Sequence, residues 1–271
     1  MPHTTLHRAM SDVLIILGMH RSGTSLLARY LVECGVFMGH TLLRGHSTNP
    51  AGHYEDHGFL SLHQDLLKAH ELDYKIVSTV LWHIDHSFRD RAISLISERN
   101  AYTTWGWKDP RTCLFLDFWK SLLPEACYLI CYRPYLPVIE SLITRDIIFY
   151  KEVTNRLRRL LHPRFTTQEI PIIANEYLRV WIHYNSEILS HVEFPHTRYI
   201  LLPFEEMIKG KFSRLERLHD MGYIVYPPKN FKTTTSQSVQ HLPFDFELDE
   251  DLVHTANNLD QRFKELLNIA Y

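Results

Sequence analysis

No apolar run in this 271-residue sequence is long enough to cross a bilayer. Val13 to Leu17, the longest near the start, falls far short of the ~20 residues a membrane helix needs. The same stretch lacks the basic flank and small-residue cleavage site of a secretory signal, so the expected location is the cytoplasm. Cysteine is scarce: 4 residues with no C-x-x-C support neither a disulfide framework nor a zinc ribbon. Cys127 and Cys131, in one strand-like run, would stand about 13 Å apart at ~3.3 Å per residue and cannot bridge. Neither sign of charge is in excess. Lys+Arg 29 against Asp+Glu 31 gives −2, which excludes the strongly basic surface of a dedicated nucleic-acid binder and leaves room for a local positive pocket. With Gly 10 and Pro 13 there is no collagen-like or low-complexity character. Internal repeats and Gly/Ser/Pro-rich linkers are also missing, so one domain spanning 1–271 is the economical reading. Lys151 to Phe165, with Lys151, Arg156, Arg158, Arg159 and Arg164, reads as part of an inserted helical lid at about 150–195, or as a solvated basic face.

What the sequence does have is 45% hydrophobic residues laid out as alternating strands and helices. Asp12 to Leu17 is a short, continuously apolar, β-branched run, the pattern of a strand buried on both faces. Leu26, Leu27, Tyr30 and Leu31 then recur at helical spacing. Ala101 to Trp107 is strand-like, and Pro110 fits the start of a helix running to Leu123, closed by Pro124. Cys127 to Tyr132 and Ile200 to Leu202 are further buried strands. A helix follows from about Pro137, and long amphipathic helices lie near Ile172–Val192 and Glu250–Ala270. This alternation predicts an α/β fold, a central parallel sheet flanked by helices in a three-layer sandwich.

Between the first strand and its helix lies Gly18-x-x-x-x-Gly23-Thr24-Ser25. The spacing is that of a phosphate loop, with Thr24 where the Walker lysine would stand. Consecutive backbone N–H groups and the following helix N-terminus form an anion cradle, and the hydroxyls of Thr24 and Ser25 add donors. Without the lysine, ATP or GTP hydrolysis is disfavoured, and the available cation is Arg21. Lys108, in Trp107-Lys-Asp-Pro-Arg111, and Arg133 both end strands, at the sheet edge where open parallel sheets bind ligands. Ser141 follows about one turn into the next helix, within reach of the same phosphate as Arg133.

These residues resemble the sulfotransferases that use 3′-phosphoadenosine-5′-phosphosulfate (PAPS), over about residues 11 to 145. Arg21 to Ser25 is similar to that family's 5′-phosphosulfate loop, Arg133 with Ser141 to its 3′-phosphate motif, and Lys108-Asp-Pro to the Lys-Asp-Pro of the tyrosylprotein branch and, with Arg111, to the Lys-Asp-Pro-Arg common in bacterial members. The resemblance implies a P-loop-like fold and PAPS as donor substrate, with no metal required. Arg21 would be the catalytic cation of the loop and Lys108 would support the departing phosphate. Ser22, Gly23, Thr24 and Ser25 would hold the 5′-phosphate. The acceptor would be a hydroxyl or amine of a small molecule, carbohydrate, lipid or peptide. A P-loop kinase-type phosphotransferase and a non-catalytic nucleotide-binding scaffold are the rival readings.

An attacking hydroxyl needs a base. Asn49-Pro-Ala-Gly-His-Tyr-Glu55 resembles an Asn-Pro-x-Gly-x-x-Glu stretch of bacterial relatives, making Glu55 the first candidate, then His53, then Asp56. Glu55 and Asp56 equally suit the start of a helix near Gly58, where acidic residues favour the dipole. His53 and His57 match no zinc-protease spacing, because Tyr54 and Asp56 occupy its glutamate positions. His63, His70, His83 and His86 are expected to face solvent or cap helices. Trp105, Trp107, Tyr54 and Trp82 are expected to pack in the core rather than form stacking walls. Lys229 and Lys232, near Thr233 to Ser236, lie where relatives place a basic loop over the 3′-phosphate.

Overall fold

The computed structural model describes residues 11–45, 49, 52–154, 165–166, 168–233 and 246–269. Four strands, β1 (Asp12–Leu17), β2 (Thr104–Lys108), β3 (Cys127–Tyr132) and β4 (Arg198–Pro203), form one sheet in the order β2-β1-β3-β4. Every pairing is parallel, with Ile15 opposite Trp107 and Tyr128. Parallel strands are covered on both faces, which is why β1 beyond Asp12, and β3, run without the polar alternation of a half-exposed strand.

Successive side chains supply two separate cores. Val13, Ile15 and Leu17 face one layer with Trp105, Trp107, Tyr128 and Ile130. That layer is built from α2 (His57–Ala69), α4 (Leu116–Leu122), α5 (Tyr135–Val153), α6 (Glu169–Val192) and α9 (Glu250–Ile269). Leu14 and Ile16 face the other way with Cys127, Leu129, Cys131, Ile200 and Leu202. They meet α1 (Thr24–Glu33), α7 (Phe204–Ile208) and α8 (Arg217–Asp220). The result is helix, sheet, helix. One further helix, α3 (His86–Arg99), runs largely over the surface and buries only Ala92 and Arg99.

Three expectations need correction. The helix expected from Pro110 to Leu123 is two pieces, a 3₁₀ turn at Pro110–Leu114 and then α4. Asp109 caps the turn by accepting from the Arg111 N–H, and Phe115 leaves helical geometry (φ −127°). Within the stretch expected as a lid, Glu169–Val192 is a core helix, with Tyr177, Leu178, Trp181 and Tyr184 fully buried. Arg156, Arg158, Arg159 and Arg164, and the segment from Thr234 to Ser236, lie outside the described residues. His63, expected at the surface, is fully buried. The other three histidines sit nearer expectation: His70 is partly buried on Leu66 O and the His83 N–H, and His83 and His86 are exposed.

Among the described residues no helix is long and apolar enough to cross a membrane. Trp105 and Trp107 are core, and Trp82 packs on Phe115 with 4.5 Å between ring centroids.

Candidate active site

Because β1, β2 and β3 run parallel, the loop after Leu17, the turn after Lys108 and Arg133 all emerge at one edge of the sheet. The loop needs its glycines. Gly23 (φ 93°) is the N-cap of α1, and a Cβ there would lie 2.7 Å from the Phe204 ring. Among the described residues no side chain caps α1, which suits its N-terminus to a ligand or water. Arg21 also holds a left-handed backbone (φ 71°), a conformation that costs a non-glycine residue about 1 kcal/mol or more and often marks functional sites.

The structure brings Arg21, Ser141 and Arg133 together. Arg21 Nε donates to Ser141 Oγ (2.8 Å). Arg133 Nη1 donates to the carbonyl of Arg21 (2.8 Å), and the Arg133 guanidinium lies over the Phe204 ring at 4.1 Å. Arg133 Nε is buried with no hydrogen-bond partner among the described residues. Burial and the charge of Arg145 pull the Arg21 guanidinium down to about 10, and burial and Arg21 do the same to Arg133. Both stay charged at neutral pH. Two cations are thus held side by side against their own repulsion, the electrostatic mark of an anion site.

Ser22 and Thr24 are buried in the loop. The Ser25 hydroxyl donates to the His53 carbonyl (3.2 Å), tying the segment that carries Glu55 to the loop, and Asn49 Nδ2 donates to the Gly52 carbonyl (2.8 Å) within that segment. Tyr54, just before Glu55, is left-handed (φ 57°). Glu55 is buried, with Oε1 2.6 Å from Lys108 Nζ and Oε2 4.0 Å from Arg111 Nη1. Asp56 is elsewhere engaged. It caps α2 through the Gly58 N–H (2.7 Å) and binds Arg99 Nη2 through both oxygens (3.0 and 2.8 Å). His57 is exposed at the start of α2, whereas His53 lies before the helix, so the two do not share a helical face.

Three further residues belong here to which sequence reasoning gave no role. His20 precedes Arg21, with its ring centroid 4.8 Å from that of Tyr74 and its Nε2 buried with no hydrogen-bond partner among the described residues. Burial, reinforced by Arg111 and Arg145, holds its pKa well below the usual imidazole value and keeps it neutral. Arg145 donates to Tyr74 Oη (3.0 Å) and Tyr177 Oη (3.3 Å). Its four-residue spacing from Ser141 put both on one face of α5, the signal that could have found it. Arg111 was legible only as the last letter of its motif. Lys229 and Lys232 are exposed; the Lys232 carbonyl accepts from Arg29 on α1, and Arg29 lies 4.6 Å above the Phe231 ring.

No curated protein sequence matches the chain. Among solved structures it is similar to the sulfotransferase STF9 of Mycobacterium avium, at 14% identity and a TM-score of 0.48, covering 96% of this chain and 77% of that one. It is also similar to the sulfotransferase STF1 of Mycobacterium tuberculosis, at 13% identity and a TM-score of 0.45, covering 94% and 77%. A family model described as the sulfotransferase family matches residues 13–224, from the first strand past the last, and with most of its length matched the chain belongs to the sulfotransferase family.

Proposed function

We propose that this chain moves a sulfuryl group from PAPS to a hydroxyl or amine by direct in-line transfer. The observation that carries the reading is the junction of Arg21, Ser141 and Arg133 at the N-terminus of α1, which no side chain among the described residues caps. A donor with a 3′-phosphate and a 5′-phosphosulfate supplies the anions that two crowded guanidinium groups and an open helix end favour. The buried Arg133 Nε is a hydrogen-bond donor that a phosphate oxygen would satisfy.

The chemistry then falls to residues of this chain. Glu55 takes the proton of the acceptor hydroxyl as its oxygen bonds to sulfur. The bond from sulfur to the 5′-phosphate oxygen breaks, and its electron pair leaves with the phosphate. Arg21 meets that growing charge, more strongly in the transition state than before it. The Glu55–Lys108 pair links the two events, since a protonated Glu55 no longer attracts the ammonium. Lys108 is then released toward the departing phosphate. The acceptor is a small molecule, carbohydrate, lipid or peptide, and the four free cysteines suit a reducing, cytoplasmic setting.

Transfer of radiolabelled sulfate from PAPS to a panel of phenols, sugars, peptides and lipids tests the proposal, with γ-labelled ATP–Mg²⁺ run alongside. Labelled sulfate on an acceptor is the expected result. Phosphate transfer from ATP with none from PAPS would instead support a kinase.

A further inference from the structure

The turn from Lys108 to Arg111 carries a buried polar chain that the transfer chemistry above does not use. The Trp119 indole N–H donates to His63 Nε2 (2.9 Å). An indole nitrogen can only donate, so Nε2 is the bare ring nitrogen and the proton sits on Nδ1. Nδ1–H then donates to Asp109 Oδ2 (2.8 Å). The other carboxylate oxygen, Oδ1, accepts from the Arg111 backbone N–H (3.0 Å) and from Arg111 Nη1 (2.8 Å). The same Nη1 stands 4.0 Å from Glu55 Oε2. His63, Trp119 and Asp109 are all fully buried, and Phe115 stacks flat on the His63 ring, 5.4 Å between centroids and 6° between planes.

We propose that Trp119, His63 and Asp109 form a positioning relay that aims the Arg111 guanidinium at Glu55, with His63 fixed as the Nδ1–H tautomer. The physical reason is competition. Arg111 has two carboxylates to choose from, Asp109 and Glu55. A carboxylate with both oxygens free takes a guanidinium bidentately. His63 occupies Oδ2 and leaves Asp109 only Oδ1, so the guanidinium is held by one edge and its remaining reach stays with Glu55. Removing the Nδ1–H donor frees Asp109 to turn and draw Arg111 away from Glu55. His63 is a positioning residue, acting through Asp109 and Arg111. The proposal rests on the transferase reading only where Glu55 is taken as the base; the geometry of the relay stands apart from it.

Selective ¹⁵N spectra of the full chain test it without any acceptor. At pH 7, His63 should show a protonated Nδ1 and a bare Nε2. The Arg111 Nε–H signal, assigned by its loss in Arg111→Met, should keep its position in His63→Asn, whose amide replaces Nδ1–H. It should move in His63→Gln, whose amide reaches only the Nε2 position. A proton on Nε2, or an Arg111 signal unmoved in His63→Gln, overturns the relay. Should His63→Gln fail to fold, a displaced Arg111 signal in His63→Asn overturns it equally. In sulfuryl transfer, His63→Gln should lower kcat about 10²-fold, the cost of a misplaced site group, with the donor KM unchanged. Combined with Arg111→Met it should lose nothing further, and additive losses would contradict the relay. Absence of transfer in the unaltered protein would count against the transferase reading and leave the spectra to decide the relay.

Discussion

Arg21 and Arg133 lie together, but they are assigned different work. Arg21→Ala should lower turnover by about 10²–10³-fold, the loss measured when one preorganised transition-state donor is removed. Arg133→Ala should mainly weaken binding of adenosine 3′,5′-bisphosphate, by about 1.5–3 kcal/mol if one charged hydrogen bond is lost. Titration calorimetry and steady-state kinetics separate the two. Glu55→Gln should cost about 10²–10⁴-fold in turnover as a lost general base. It also leaves Lys108 buried without its counter-ion, so the melting temperature should fall as well. Adding Lys108→Met should restore the melting temperature but not the turnover. At this scale the sequence was informative where residues sit in contiguous motifs at strand ends. Arg21, Lys108 and Arg133 were singled out that way as candidates, and the structure brings Arg21 to Arg133 and Ser141, and Lys108 to Glu55. His63 was misread because its burial depends on Asp109, 46 positions away, and on Trp119, which no local pattern links to it. Arg21, from the 5′-phosphosulfate-like loop, and Ser141, from the 3′-phosphate-like motif, share a hydrogen bond, so the two motifs meet.

Helices α2 and α3 are joined by a buried ion pair, Arg99 to Asp56, which also fixes the α2 N-cap beside Glu55. Breaking such a pair from one side is far costlier than losing a surface bridge, so Arg99→Met should destabilise the protein by about 3–5 kcal/mol in urea unfolding. The 3₁₀ turn after β2 has a pH signature. Burial raises the Asp109 carboxyl, but Arg111 and the His63 hydrogen bond outweigh it and hold it well below the usual carboxylate range. A carboxyl depressed in the folded state adds stability above its unfolded pKa, about 4, and loses it as the pH falls below that value. Asp109→Asn should therefore flatten the acid limb of the stability curve between about pH 5 and 2. Elements were legible in proportion to their burial. Strands β1 and β3 were read to the residue, because two covered faces demand an unbroken apolar run. Helix α3 went unread, since a helix burying only Ala92 and Arg99 has almost no apolar stripe, although Asp85 capping Ser87 and Phe88 was a usable start signal. The break at Phe115 follows from side chains packing around Asp109 and His63, which periodicity does not encode.

Across the whole molecule, the sheet separates two cores and leaves one edge for chemistry. Ile15 in one core and Leu129 in the other are both fully buried, so replacing either by alanine should cost about 2–5 kcal/mol. The layered fold could be read from the alternation of strands and helices, as could the edge where the strand-end residues Lys108 and Arg133 emerge. The acceptor could not, because a fold positions a site without choosing what enters it. The proposed function requires one end of the sheet to grip both phosphates of the donor nucleotide. Calorimetry comparing adenosine 3′,5′-bisphosphate with adenosine 5′-phosphate, on the unaltered protein and on Arg133→Ala, tests it most directly. The expected result is a strong preference for the bisphosphate that Arg133→Ala abolishes while weak binding of the monophosphate persists. Equal affinity for both nucleotides in the unaltered protein, or no binding of either, would contradict it.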